Sequence, residues 1–246
     1  MLRIPDFTDP RYLDEVGWFL YHEKFRRDRF GASYVEERLA YSRMLLDEVL
    51  GACGRDPAWL TDKTVVTVGC GCTGDLVTWP VAVKIAVDPL LYTYQKLGML
   101  VQDAPGTVST VHLSVGIQEL PLLDDVADVV ICRNALDHVP DPAVMLHQIR
   151  RILKPAGVVF LSVDIGGSPT PDEPTVFTID GLTALIEESF AIVRRTDNHS
   201  PHSEGRRCAV RILARKIGGA GLRIDKEAVL NAYLARLKAD DERDSS

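Results

Sequence analysis

The sequence lacks most of what marks a secreted, membrane-bound or nucleic-acid-binding protein. It has five cysteines in 246 residues, an odd number at irregular spacing, so no disulfide framework is expected. Cys70 and Cys72 stand one residue apart in a glycine-rich turn, which is poor zinc spacing, and a reducing cytoplasm is the inferred setting. No apolar run approaches the about 18 residues of a membrane span. No basic stretch leading into an apolar run opens the chain, so neither a secretory signal nor a membrane partner is expected. Positive charge is also in deficit. Lys and Arg number 28 against 35 Asp and Glu, a formal net charge of -7, which argues against a nucleic-acid-binding stripe. The cluster Arg26-Arg27-Asp28-Arg29 is diluted by Glu36 and Glu37 and reads as a solvated helix face. There are no internal repeats.

What is present is a globular composition, 46% hydrophobic and 26% charged, enough for a packed core. The stretch from Thr64 to Leu76 organises it. Val65, Val66 and Val68 are β-branched and apolar, as a strand covered on both faces requires. Gly69, Gly71 and Gly74 follow and allow the backbone to turn tightly and approach a ligand. Asp75 is expected in the first turn of a short helix, where the dipole favours a negative charge, and Pro80 limits that helix. A second apolar strand ends in Asp88, 19 residues after Gly69, where a carboxylate can accept hydrogen bonds from ribose hydroxyls. Together these point to a nucleoside-containing ligand over the carboxyl ends of the strands.

The segment 1–60 reads as a helical extension or lid, with an aromatic-rich run of Trp18, Phe19, Tyr21, Phe25 and Phe30 that suits either core or lid. Residues 61–217 then alternate strand and helix. Strands are expected near 84–87, 108–115, 128–132 and 158–163, with helices over 90–100, 143–153 and 178–190. Asp141 and Pro142 supply an N-cap and a first-turn proline, and Val144, Leu146, Ile149 and Leu153 are expected to point inward. Two closing strands without a clear helix between them suggest an antiparallel pair at one edge. The fold class is therefore α/β: a Rossmann-like, seven-stranded, mostly parallel sheet with helices on both faces, an antiparallel edge strand and an N-terminal helical extension. Residues 218–246 read as a linker, an amphipathic helix over 225–238 and an acidic tail.

Three stretches carry a resemblance to the class I S-adenosylmethionine-dependent methyltransferases of the small-molecule type. They are Val65 to Leu76, Ile85 to Asp88, and the run from Glu119-Leu120-Pro121 through Asp128 to Cys132 and Leu136-Asp137-His138-Val139-Pro140-Asp141-Pro142 to Leu153-Lys154-Pro155-Ala156-Gly157. The resemblance implies S-adenosylmethionine as cofactor and a small-molecule methyl acceptor. It implies that Gly69, Cys70, Gly71 and Gly74 line the methionine part, that Asp88 takes the ribose hydroxyls, and that Pro89 and Leu90 border the adenine. Ile117 and Gln118 fall near the adenine edge, and Arg133 and Asn134 near the sulfonium and substrate. The chain departs from the family at Thr67 and Gly116, where acidic residues are frequent, and Asp75 is proposed to replace the missing acid at the cofactor's amino group.

Methyl transfer needs alignment and exclusion of water, and a hydroxyl acceptor also needs a base. Asp137 and His138 are the candidates. A loop pair, His199 and His202, has no third ligand, so no metal is expected; with Arg206 it is read as pocket edge or solvent-facing. Two other readings stay open: a non-catalytic binding module, and an NAD(P)-dependent dehydrogenase, whose glycine fingerprint Gly69, Gly71, Gly74 and Asp88 formally satisfy. A homo-oligomer is compatible with the sequence.

Overall fold

The computed structural model describes residues 10–171, 173–199 and 208–217. The helix expected over 225–238, the acidic tail, His202 and Arg206 lie outside the described residues. The strands are β1 (Thr64–Val68), β2 (Val83–Val87), β3 (Thr110–Leu113), β4 (Ala127–Arg133), β5 (Leu153–Ile165), β6 (Phe190–His199) and β7 (Cys208–Lys216). The helices are α1 (Pro10–Phe30), α2 (Tyr34–Cys53), α3 (Leu91–Lys96), α4 (Pro142–Ile152) and α5 (Ile179–Glu187).

All seven strands form one sheet in the order β3-β2-β1-β4-β5-β7-β6. β1 to β5 pair in parallel, and β7 runs antiparallel to both of its neighbours, β5 and β6. The antiparallel pair expected at one edge is therefore β6 with β7. Alternation along each strand splits the core in two. Val66, Val130, Cys132, Val159 and Leu161 face α4 and α5, while Val65, Val129, Ile131 and Phe160 face α2. Asp141 caps α4 by accepting from the Val144 N–H at 3.2 Å, with Pro142 at the first turn. Its buried stripe is Met145, Leu146, Ile149 and Ile152. Of the four positions read as inward, Leu146, Ile149 and Leu153 are buried, Leu153 as the first residue of β5, while Val144 is only half-buried.

Two helices depart from expectation. α3 stops at Lys96 because Gly98 takes a left-handed φ of 67° and donates to the Gln95 carbonyl. The short helix expected after the glycine turn is absent: residues 69–82 are irregular, with hydrogen-bonded turns at 71–72 and 75–78. Tertiary contacts replace it. The Ser42 hydroxyl donates to the Asp75 carbonyl at 2.8 Å and stands 2.8 Å from the Thr78 hydroxyl. The indole N–H of fully buried Trp79 donates to the Ser42 carbonyl. The crossover is thus fastened to α2, which covers this face of the sheet. Asp75 consequently sits at no helix N-terminus, and the dipole argument for it falls.

Candidate functional site

A cavity of about 320 Å³ opens at the carboxyl ends of β1, β2 and β4. This is where an open parallel sheet leaves a crevice, because β1 connects outward to β2 on one side while β4 continues the sheet on the other. Of the residues singled out in the sequence, Gly69, Asp88, Pro89, Ile117, Gln118, Asn134 and His138 line it, together with Leu90 and Gly116. Cys70, Gly71, Gly74 and Asp75 line a separate narrow cleft of about 20 Å³ instead. Arg133 is outside both linings, because strand alternation turns it to the α2 side of the sheet. There its guanidinium donates to the Tyr41 hydroxyl and lies over the Tyr41 ring.

Asp88 ends β2 with its carboxylate fixed by the backbone. One oxygen accepts from the Gly71 N–H at 2.9 Å and the other from the Leu90 N–H at 2.8 Å. Burial pushes its carboxyl up to about 6, against the opposing pull of these two N–H donors. Each oxygen keeps a further lone pair for a ligand hydroxyl. The glycine turn is shaped by protein packing as much as by ligand access. A Cβ on Gly69 would lie 2.2 Å from the Ala135 methyl, and one on Gly71 would lie 2.5 Å from the Phe19 ring of α1.

Asp75 accepts from the Thr67 hydroxyl at 3.1 Å and from the Thr73 hydroxyl at 2.6 Å. Its carboxylate thus stands at the head of the Thr67 side chain. Nearby, buried Arg38 of α2 donates to the Thr73 carbonyl, while its Nη1 has no hydrogen-bond partner and lies 3.8 Å from Glu37.

At the other end of the cavity, α1 reaches the loop after β4. His138 Nδ1 lies 3.3 Å from a Glu15 carboxylate oxygen, and its Nε2 lies 3.4 Å from the Asn134 amide. Burial alone would lower the imidazole, but Glu15, then Asp137 and Glu173, outweigh it and raise His138 to about 9. Asp137 is 3% exposed, and its Oδ1 has no hydrogen-bond partner. Burial raises its carboxyl to about 6, and His138 opposes that rise. Asp137, His138 and Glu173 bring one ligand atom each within 4.8 Å of one another. Both His138 nitrogens already face protein groups, so the cluster reads as a charge network.

The sequence reading missed Glu15 and Arg38. Glu15 shares a helical face with half-buried Phe19, four residues on, and a carboxylate one turn from that aromatic was the available signal. Arg38 offered none, because its role depends on α2 packing against the glycine turn. Among the described residues no helix is long and apolar enough to cross a membrane.

Residues 66–161 match a family model described as a methyltransferase domain. The ubiquinone biosynthesis O-methyltransferase of Pseudomonas paraeruginosa is 34% identical over 119 residues, covering 43% of this chain and 46% of that protein. The chain therefore spans about half the length of the curated relatives it matches. Among solved structures, a Burkholderia thailandensis 1,6-didemethyltoxoflavin-N1-methyltransferase with S-adenosylhomocysteine bound is similar at a TM-score of 0.53 and 21% identity, over 80% of this chain and 89% of that one. The cyclase SpnF is similar at 0.55 and 16%, over 72% and 81%. At these identities the likeness is one of fold.

Proposed function

Since the chain carries a methyltransferase domain of the class I S-adenosylmethionine-dependent type, we propose that it transfers a methyl group from S-adenosylmethionine to a small-molecule acceptor. The observation that carries this reading is Asp88: a backbone-oriented carboxylate at the end of β2, lining a cavity of about 320 Å³ at the crevice of the sheet. When bound, S-adenosylmethionine supplies an electrophilic methyl on sulfur, which the acceptor's lone pair takes as the acceptor loses a proton.

The residues of this chain fit that group. Asp88 holds the ribose hydroxyls through its remaining lone pairs. Pro89, Leu90, Ile117 and Gln118 wall the adenine, and Gly69 to Gly74 follow the amino-acid part. Arg38, buried beside the glycine turn with an Nη1 that makes no hydrogen bond and a long 3.8 Å ion pair with Glu37, is assigned to the cofactor's carboxylate. Asp75 answers its ammonium from beside Thr67, which supports its substitution for the acid frequent at that position. Asn134 and His138 border the acceptor, with His138 as the base and Asp137 as the buried carboxylate behind it. The relatives named as ubiquinone biosynthesis O-methyltransferases support a small-molecule acceptor methylated on oxygen.

Calorimetric titration with S-adenosylmethionine, S-adenosylhomocysteine and NADH in parallel tests the reading. Micromolar binding of the adenosyl compounds without NADH binding is expected. NADH binding alone would move the chain to the dehydrogenases. The cyclase neighbour makes turnover a separate test, run as transfer of labelled methyl to candidate phenols.

A further inference from the structure

α1 does more than cover the site: it delivers a carboxylate into it. Among the described residues, α1 touches the site's surroundings at two points, of which Glu15 alone lines the cavity. Val16 and Phe19 pack with Leu90, Tyr94 and Met99, and the Phe19 ring lies where a Gly71 side chain would stand. One turn from Phe19, Glu15 lines the cavity and stands 3.3 Å from His138 Nδ1. A carboxylate only accepts, so a proton must sit on Nδ1 for the pair to hold. With Nδ1 protonated, Nε2 is the acceptor in the 3.4 Å contact with the Asn134 amide nitrogen, which an acceptor hydroxyl would displace.

We propose that Glu15 is the positioning residue for His138, fixing the imidazole proton on Nδ1 so that Nε2 takes the proton of an acceptor hydroxyl. This rests on the methyltransferase reading above. Below about pH 9 the ring is held as the imidazolium, so the neutral form present above that pH is the base: the acceptor O–H bond breaks as the Nε2–H bond forms, leaving an oxygen anion to receive the methyl. The resulting imidazolium is held by Glu15 and later releases its proton to water. The site is therefore complete only while α1 is docked, which links closure over the cofactor to activation of the acceptor.

The charged groups facing His138 are Glu15 from α1, Asp137 from its own loop, Glu173 from the loop after β5, and Asp88 from the end of β2. All are carboxylates, so removing Glu15 alone leaves three and tests its particular contact. The experiment is an NMR titration of the His138 imidazole, its signal assigned by loss in His138→Asn, in wild type, Glu15→Gln and Phe19→Ala. Wild-type His138 is expected to titrate at about 9, and both variants are expected to move it toward 6.5, Phe19→Ala by undocking α1. Amide exchange across α1 should stay slow in Glu15→Gln and rise in Phe19→Ala. An unchanged titration in Glu15→Gln overturns the proposal, as does rapid α1 exchange in that variant, which would make Glu15 a docking residue only. Binding of S-adenosylhomocysteine, measured alongside in wild type, reports on the methyltransferase reading independently of these titrations. With a phenol that is turned over, the acid limb of the pH–rate profile should follow the same shift.

Discussion

Asp88 is held by two backbone N–H groups before any ligand arrives, so its geometry is set in advance and its charge is the adjustable quantity. Ligand hydroxyls favour the ionised form. Its carboxyl lies at about 6, so affinity for S-adenosylhomocysteine should be flat above neutrality and fall as the pH drops through that value. Calorimetry between pH 5 and 8 measures this, and flat affinity over the range would remove Asp88 from the site. Asp88→Ala should weaken binding by about 10- to 100-fold or more, on the scale of hydrogen bonds to a charged group. Asp88 was legible because a strand end at fixed distance from a glycine turn is a local pattern. Arg133 was legible only in part. Its position at the end of β4 could be read, but counting alternation from Cys132, which faces α4 and α5, was needed to turn its side chain toward α2.

At the scale of elements, the strands and α4 could be read because periodicity and caps are carried by neighbouring residues. The crossover at 69–82 could not, because what holds it is Ser42, more than thirty residues earlier in α2. Ser42→Ala should lower unfolding free energy by about 1–3 kcal/mol, the cost of leaving buried partners unsatisfied. Denaturant unfolding measures it, and a loss near zero would mean that packing alone shapes the crossover. Gly71→Ala probes the other contact of this segment. The added methyl would lie 2.5 Å from the Phe19 ring at a φ of 54°, so α1 should be displaced. Exchange of α1 amides should rise while the sheet stays protected.

For the whole molecule, the sheet is shared: one face builds the core with α4 and α5, the other the core with α2 and Trp79. Neither core can lose its strands without exposing the other, so far-UV dichroism and tryptophan fluorescence should unfold in a single coincident transition. Trp79→Ala, at a position with no exposure, should cost about 3–5 kcal/mol across that one transition. Separate transitions by the two probes would show the faces to be independent.

Glu15 and His138 are 123 residues apart in the chain. A ribosome adding about 5–20 residues per second needs some seconds to tens of seconds to pass from one to the other. For the first part of that interval α1 lacks Leu90 and Tyr94, and for all of it His138, to receive it. The element that closes the site is thus made before the groups that seat it, and a nascent chain can bring Glu15 against His138 only after β4 and the loop beyond it have left the exit tunnel.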